Sequence, residues 1–99
     1  MTEFTEEQRA ARREARRASR RRARIRKAHE RAARFTQDAL LEHERAALQK
    51  RNYAFHGVEP DDEGLVYVAF AGDDRGHRLE ASGYSPEAAV AHLVHLALS

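Results

Sequence analysis

The sequence predicts an α+β protein: a long basic N-terminal helix, then a small antiparallel β-sheet of two or three strands covered by a C-terminal helix. Three observations carry this expectation. Residues 1–51 hold 16 Lys and Arg against 8 Asp and Glu, a net of +8, and contain no glycine or proline. Residues 52–99 hold 2 against 8, a net of −6, and contain every glycine and proline of the chain. Finally, β-forming residues fill the second half until Ser85-Pro86-Glu87 announces a helix start. The expected organisation is a basic helical arm over 1–51 and a small acidic βββα or ββα domain over 52–99.

The first helix has an explicit beginning. Thr5-Glu6-Glu7-Gln8 has the form of a capping box with Thr5 as N-cap, and Glu6 and Glu7 sit where the helix dipole favours negative charge. From there to Arg51, good helix formers dominate. A continuous helix of that length would reach roughly 70 Å at ~1.5 Å per residue; the alternative is a break near Phe35-Thr36, with Thr36 capping a second helix. On a helical projection Ala11, Ala15, Ala18, Ile25 and Ala32 form a heptad-like seam whose gaps hold Arg22 and His29. Arg9, Arg12, Arg13, Arg16, Arg20, Arg24, Lys27 and Arg31 cover the other side. The seam is weak, and like charges at i,i+3 and i,i+4 repel, so fraying is expected in isolation. Leu40, Leu41, Ala47 and Leu48 give residues 36–51 an apolar side fit for docking.

At Asn52 the pattern changes. Residues 53–58 alternate like a short strand, and residues 59–64 read as a turn. Residues 65–71 read as the central strand, residues 72–76 as a hairpin loop with two glycines, and residues 77–82 as the return strand. Ser85 is the expected N-cap, Pro86 the N1 residue, and the helix runs from Pro86 to about Leu98. One stripe of that helix holds Ala89, Val90, Leu93, Leu96 and Ala97; a second holds Ala91, Val94 and Leu98. Both need cover, the second from residues 40–48 or from another copy of the chain in a homodimer.

The run over residues 65–98, with strand, hairpin, strand, Gly83-Tyr84-Ser85-Pro86-Glu87-Ala88 and a final helix, resembles the ββα core of HicB-like antitoxin domains. In those domains a small residue or Ser/Thr cap followed by Glu-Ala opens the helix after the second strand. The run is also similar in outline to the end of double-stranded-RNA-binding domains and to the arm-binding domain of tyrosine recombinases. The resemblance covers about a third of the chain and implies a fold alone. The run departs from RNA-binding domains in lacking basic residues where the final helix starts, and from recombinase arm domains in its acidic sheet. Nucleic-acid contacts are therefore not carried onto residues 52–99.

Composition narrows the function classes. The 99 residues include 19 alanines, which bury little area each, so the core is small and a deep catalytic pocket is not expected. The absence of cysteine removes disulfides, thiolate metal sites and thiol nucleophiles. No run approaches the ~20 apolar residues that span a bilayer, and MTEFTEEQRAARRE has no apolar signal region, so a cytoplasmic protein is expected. The serines have no His/Asp arrangement, Ser85 serves as a cap, and no Gly-rich phosphate loop occurs. Asp61, Asp62, Glu63, Asp73 and Asp74 read as solvated loops, or as an acidic patch that attracts the arginine arm. His92 and His95, with His77 nearby on a strand, read as ordinary surface histidines rather than a metal set. No enzyme, cofactor or metal is expected.

The strongest signal is the basic segment. Residues 9–34 hold 13 cations and two acids, Glu14 and Glu30. Arginine outnumbers lysine 16 to 2, a bias that GC-rich bacterial or phage coding produces as readily as guanidinium chemistry does. The coding bias does not explain why the charge lies on one half. Arginine makes bidentate, charge-assisted bonds to phosphates, and a helix lined with guanidinium groups fits a groove or a phosphate ridge. The expected function is non-enzymatic binding of DNA or RNA by a small regulatory or accessory protein, through Arg13, Arg16, Arg17, Arg20, Arg24, Lys27 and Arg31. The alternative is a small bacterial or phage modulator that docks on an acidic surface of a larger host protein. An apolar patch around Phe4, Phe35, Tyr53 or Phe55 would favour the second reading. Neither reading needs a membrane.

Overall fold

The computed structural model describes residues 5–99. The element order is α1 (Glu6–Ala33), a 3-10 turn (Gln37–Ala39), α2 (Glu42–Lys50), β1 (Ala54–Pro60), β2 (Tyr67–Gly72), β3 (Arg78–Gly83) and α3 (Pro86–Leu98). The three strands form one antiparallel sheet in the order β1-β2-β3. The fold is α+β, with a long N-terminal helix and a C-terminal helix on the sheet, as the composition switch predicts. Phe4 lies outside the described residues.

The local signals act where the sequence places them. Gln8 N–H donates to Thr5 Oγ1 at 3.2 Å and Thr5 N–H to Gln8 Oε1 at 2.9 Å, closing the capping box. Ala88 N–H donates to Ser85 Oγ at 3.0 Å, with Pro86 at the first helical position. The change of character at Asn52 has a backbone cause. Asn52 takes φ 61°, its N–H bonds the Gln49 carbonyl at 3.0 Å, and Tyr53 N–H bonds the Leu48 carbonyl at 2.9 Å. This is the left-handed helix ending that asparagine tolerates best after glycine.

Three expectations need correction. Of the two alternatives for the first helix the break near Phe35-Thr36 holds, since α1 ends at Ala33, but Thr36 precedes a 3-10 turn without a side-chain cap bond instead of capping a second helix. Helical geometry explains the break. Ala28 and Leu48 would stand on nearly opposite sides of one helix, yet both belong to the same core. The turn lets α2 fold back, with Leu41 N–H held by the Glu44 carboxylate at 2.9 Å. Second, the seam is buried only where the domain meets it: Ala32 is buried, Ile25 is half-buried, and Ala11, Ala15 and Ala18 are exposed, while Ala28, outside the expected seam, is buried. Third, Leu96 is 45% exposed rather than part of the covered stripe. The strands also lie slightly later than read, with β1 reaching Pro60 because Asp61 ties the following turn, accepting from Leu65 N–H at 2.8 Å.

The core is one cluster made from both halves. Ala28 and Ala32 of α1, Leu40, and Leu48 of α2 join Val58, Tyr67, Ala69, Ala71, Ala81 and the inner side of α3. The helices lie on the sheet face that carries Tyr67, Ala69 and Ala71. Val68, Phe70, Arg78, Glu80 and Ser82 alternate onto the other face. α2 packs on α3, so Val94 is covered from within the chain. Phe35, Tyr53 and Phe55 pack against this core and form no free patch.

Two glycines mark close approaches. Gly64, at φ +69°, leaves the space α1 needs: a Cβ there would stand 3.1 Å from Ile25 Cα. At Gly83 a Cβ would stand 2.6 Å from Ala89 N, so the start of α3 can lie directly on the end of β3.

Candidate nucleic-acid interface

α1 has 28 residues, about 42 Å at ~1.5 Å per residue, and only its last third is packed. Residues 5–22 are exposed throughout. The radius of gyration is 19.2 Å and the longest extent 69 Å, against about 13 Å expected for a compact 100-residue domain. The excess is the free part of α1, a rod that leaves the domain and carries cations along its length.

The seven residues expected to meet phosphates fall on one side of this rod but divide into two groups. Arg13, Arg16, Arg17 and Arg20 are exposed and make no ion pair or side-chain hydrogen bond among the described residues; Lys27, nearer the domain, is in the same state. Arg24 and Arg31 are engaged. Arg24 Nε donates to the Glu63 carbonyl at 2.8 Å, and its Nη2 lies 3.4 Å from Glu63 Oε2. Arg31 Nη2 lies 3.3 Å from Glu87 Oε2, with its guanidinium 5.8 Å from the centre of the Tyr67 ring. Arg20, Arg24, Lys27 and Arg31 nevertheless converge. With Ala23, Ala28, Gly64 and Tyr67 they line an open groove of about 600 Å³ where the rod meets the domain.

The strongest polar contact at the root involves a residue outside the expected set. Arg21 makes a two-pronged bond to Glu63, Nε to Oε2 and Nη2 to Oε1, both 2.9 Å. The hydrogen bond from Arg21 holds the Glu63 carboxyl below its ordinary range, and the same bond raises the Arg21 guanidinium. An acidic loop attracting the arm was legible in Asp61-Asp62-Glu63. The identity of the clamp was not, because it depends on the angular position of Arg21 beside Ala28 and Ala32. Both partners are about half exposed, so the pair orients α1 more than it stabilises it.

The neighbouring acids have structural work. Asp61 lies below the usual carboxylate range because the backbone N–H groups of Leu65 and Val66 donate to it. Burial pushes Asp73 up, but bonds from the His77 ring at 2.8 Å and from the His77 and Arg75 N–H groups outweigh it and leave it lowered. His92 Nδ1 donates to the Ser82 carbonyl at 2.6 Å. The histidines are thus dispersed, and no group of three or more His, Cys, Asp or Glu is placed to hold a metal among the described residues. No helix of the described residues is long and apolar enough to cross a membrane. No family model matches this chain, and neither a curated protein nor a solved structure does.

Proposed function

We propose that the chain is a non-enzymatic nucleic-acid-binding accessory protein that lays the free part of α1 against phosphates. The observation that carries this reading is the projecting rod itself, cationic and unpaired over Arg13, Arg16, Arg17 and Arg20, with Lys27 continuing the row. Its other side offers exposed Ala11, Ala15 and Ala18, too little apolar area to draw a protein groove or a bilayer surface. Backbone phosphates ask only for charge at helical spacing. Arg24 and Arg31, already paired at the root, contribute less than the other five.

Five free cations predict a log–log salt slope of roughly −4 to −5 on duplex DNA, at about 0.9 per phosphate, with little base preference. The test is fluorescence anisotropy with duplex DNA and with RNA at graded salt, on the wild type and on an Arg13→Ala, Arg16→Ala, Arg20→Ala variant. Loss of affinity for all sequences, with the slope flattened by about three units, supports the reading. If neither nucleic acid binds at low salt the reading fails, and an acidic protein surface becomes the target class.

A further inference from the structure

The outer edge of β3 is a second open surface. β3 ends the sheet, and its pairing with β2 is regular from Tyr67 opposite Gly83 to Gly72 opposite Arg78. Asp73 N–H donates to the His77 carbonyl at 3.0 Å, so His77, Leu79, Ala81 and Gly83 aim their backbone groups at β2. Arg78, Glu80 and Ser82 therefore aim theirs outward. Ser82 meets His92 there, and no backbone group of Arg78 or Glu80 has a partner among the described residues. An uncapped edge is a template for another strand.

We infer that β3 pairs with β3 of a second copy of this chain, antiparallel about a two-fold axis, with Arg78 of each copy opposite Glu80 of the other. Two constraints select the occupant and the register. Outward-aimed residues must face outward-aimed residues, which leaves Arg78 opposite Arg78, Arg78 opposite Glu80, or Glu80 opposite Glu80 at the centre. Only the second sets opposite charges face to face, twice, while like charges directly opposite destabilise a pair. The apolar flank agrees. That register places Leu79 opposite its own copy on the helix side of the sheet, and Leu79 is half-buried in the single chain. Leu96 stands one turn beyond His92 on the side of α3 that reaches Ser82, and it remains 45% exposed. Pairing would bring both leucines of each copy to one seam. The surface differs from the second stripe of α3, which α2 covers at Val94, and it does not depend on nucleic-acid binding.

The test is sedimentation of the full chain from about 1 to 300 μM, a range set for the weak association that a small interface gives. The wild type should double its mass from 11.3 kDa within that range. Arg78→Glu alone, or Glu80→Arg alone, turns both cross-strand pairs repulsive and should weaken association about tenfold or more. An equimolar mixture of the two variants should restore it, because each introduced charge then meets its opposite. A monomeric wild type, single variants that associate like the wild type, or a mixture no heavier than its components would each overturn the inference. If a single variant loses its fold, amide exchange at Arg78 and Glu80 of the wild type decides: protection must rise with protein concentration, and unchanged protection rejects the pairing.

Discussion

Glu63 does more than any other acidic side chain to place the arm, since it takes both prongs of Arg21 and, through its carbonyl and carboxylate, Arg24. Glu63→Gln should remove the ion pair that holds Arg21 and leave Arg24 bonded only to the Glu63 backbone carbonyl. If the arm binds phosphates, affinity at low salt should then rise, with the salt slope steeper by about one unit, measurable by anisotropy. Gly64 beside it is needed for both its conformation and its space. Gly64→Ala should cost about 1–2 kcal/mol from the left-handed backbone alone, with more from the contact with Ile25, read from urea unfolding. Asp61, Glu63 and Asp73 all sit below their ordinary range in the fold. Their stabilisation is full above the unfolded values near pH 4 and is lost as pH falls through the folded ones. Melting temperature should therefore hold steady from neutral pH to about pH 5 and drop below roughly pH 4. Asp61→Asn should blunt the drop.

The helices differ in what holds them. α2 is nine residues long, too short to persist alone, and Leu48, 2% exposed, fastens it to the core. Leu48→Ala should cost about 2–5 kcal/mol by chemical denaturation, enough to bring so small a domain near unfolding. Elements with a chemical start were legible to the residue: Thr5 and Gln8 at α1, Ser85 and Pro86 at α3. The break near Phe35-Thr36 was legible only as an alternative to a continuous helix, because no glycine or proline causes it. It arises from two apolar sets that cannot share one straight helix, and only the position of the core reveals that conflict. Strand ends were blurred for a related reason, since Pro60 and Asp61 belong equally well to a turn or to a strand that a turn closes. At the sheet edge, the outward phase of Arg78 and Glu80 could be read only once the hairpin bond from Asp73 to His77 was known.

At the level of the whole molecule, the charge division seen in the sequence is not the division of the fold. Residues 52–99 share one core with Ala28, Ala32, Leu40 and Leu48, so the basic half supplies part of the domain and the rest of it projects. Deleting residues 5–17 should accordingly leave the melting temperature within a few degrees of the full chain, while the proposed nucleic-acid affinity falls and its salt slope flattens by about three units. The cationic side of α1 was legible from spacing alone. That Arg24 and Arg31 answer to acids within the chain was not, since those acids lie 39 and 56 residues away. The projecting rod has a further consequence, in lifetime rather than affinity. Residues 5–20 are exposed and lie beyond the Arg21–Glu63 clamp, so local opening there is easy, and nearly every turn that opens presents arginine to a trypsin-like protease. Trimming should stop near Arg20, ahead of the Arg21–Glu63 clamp, and leave an intact core without six of the chain's 18 cations. A polyanion lying along the rod would shield that same stretch, so the time the arm survives cleavage would record how much of the protein is occupied.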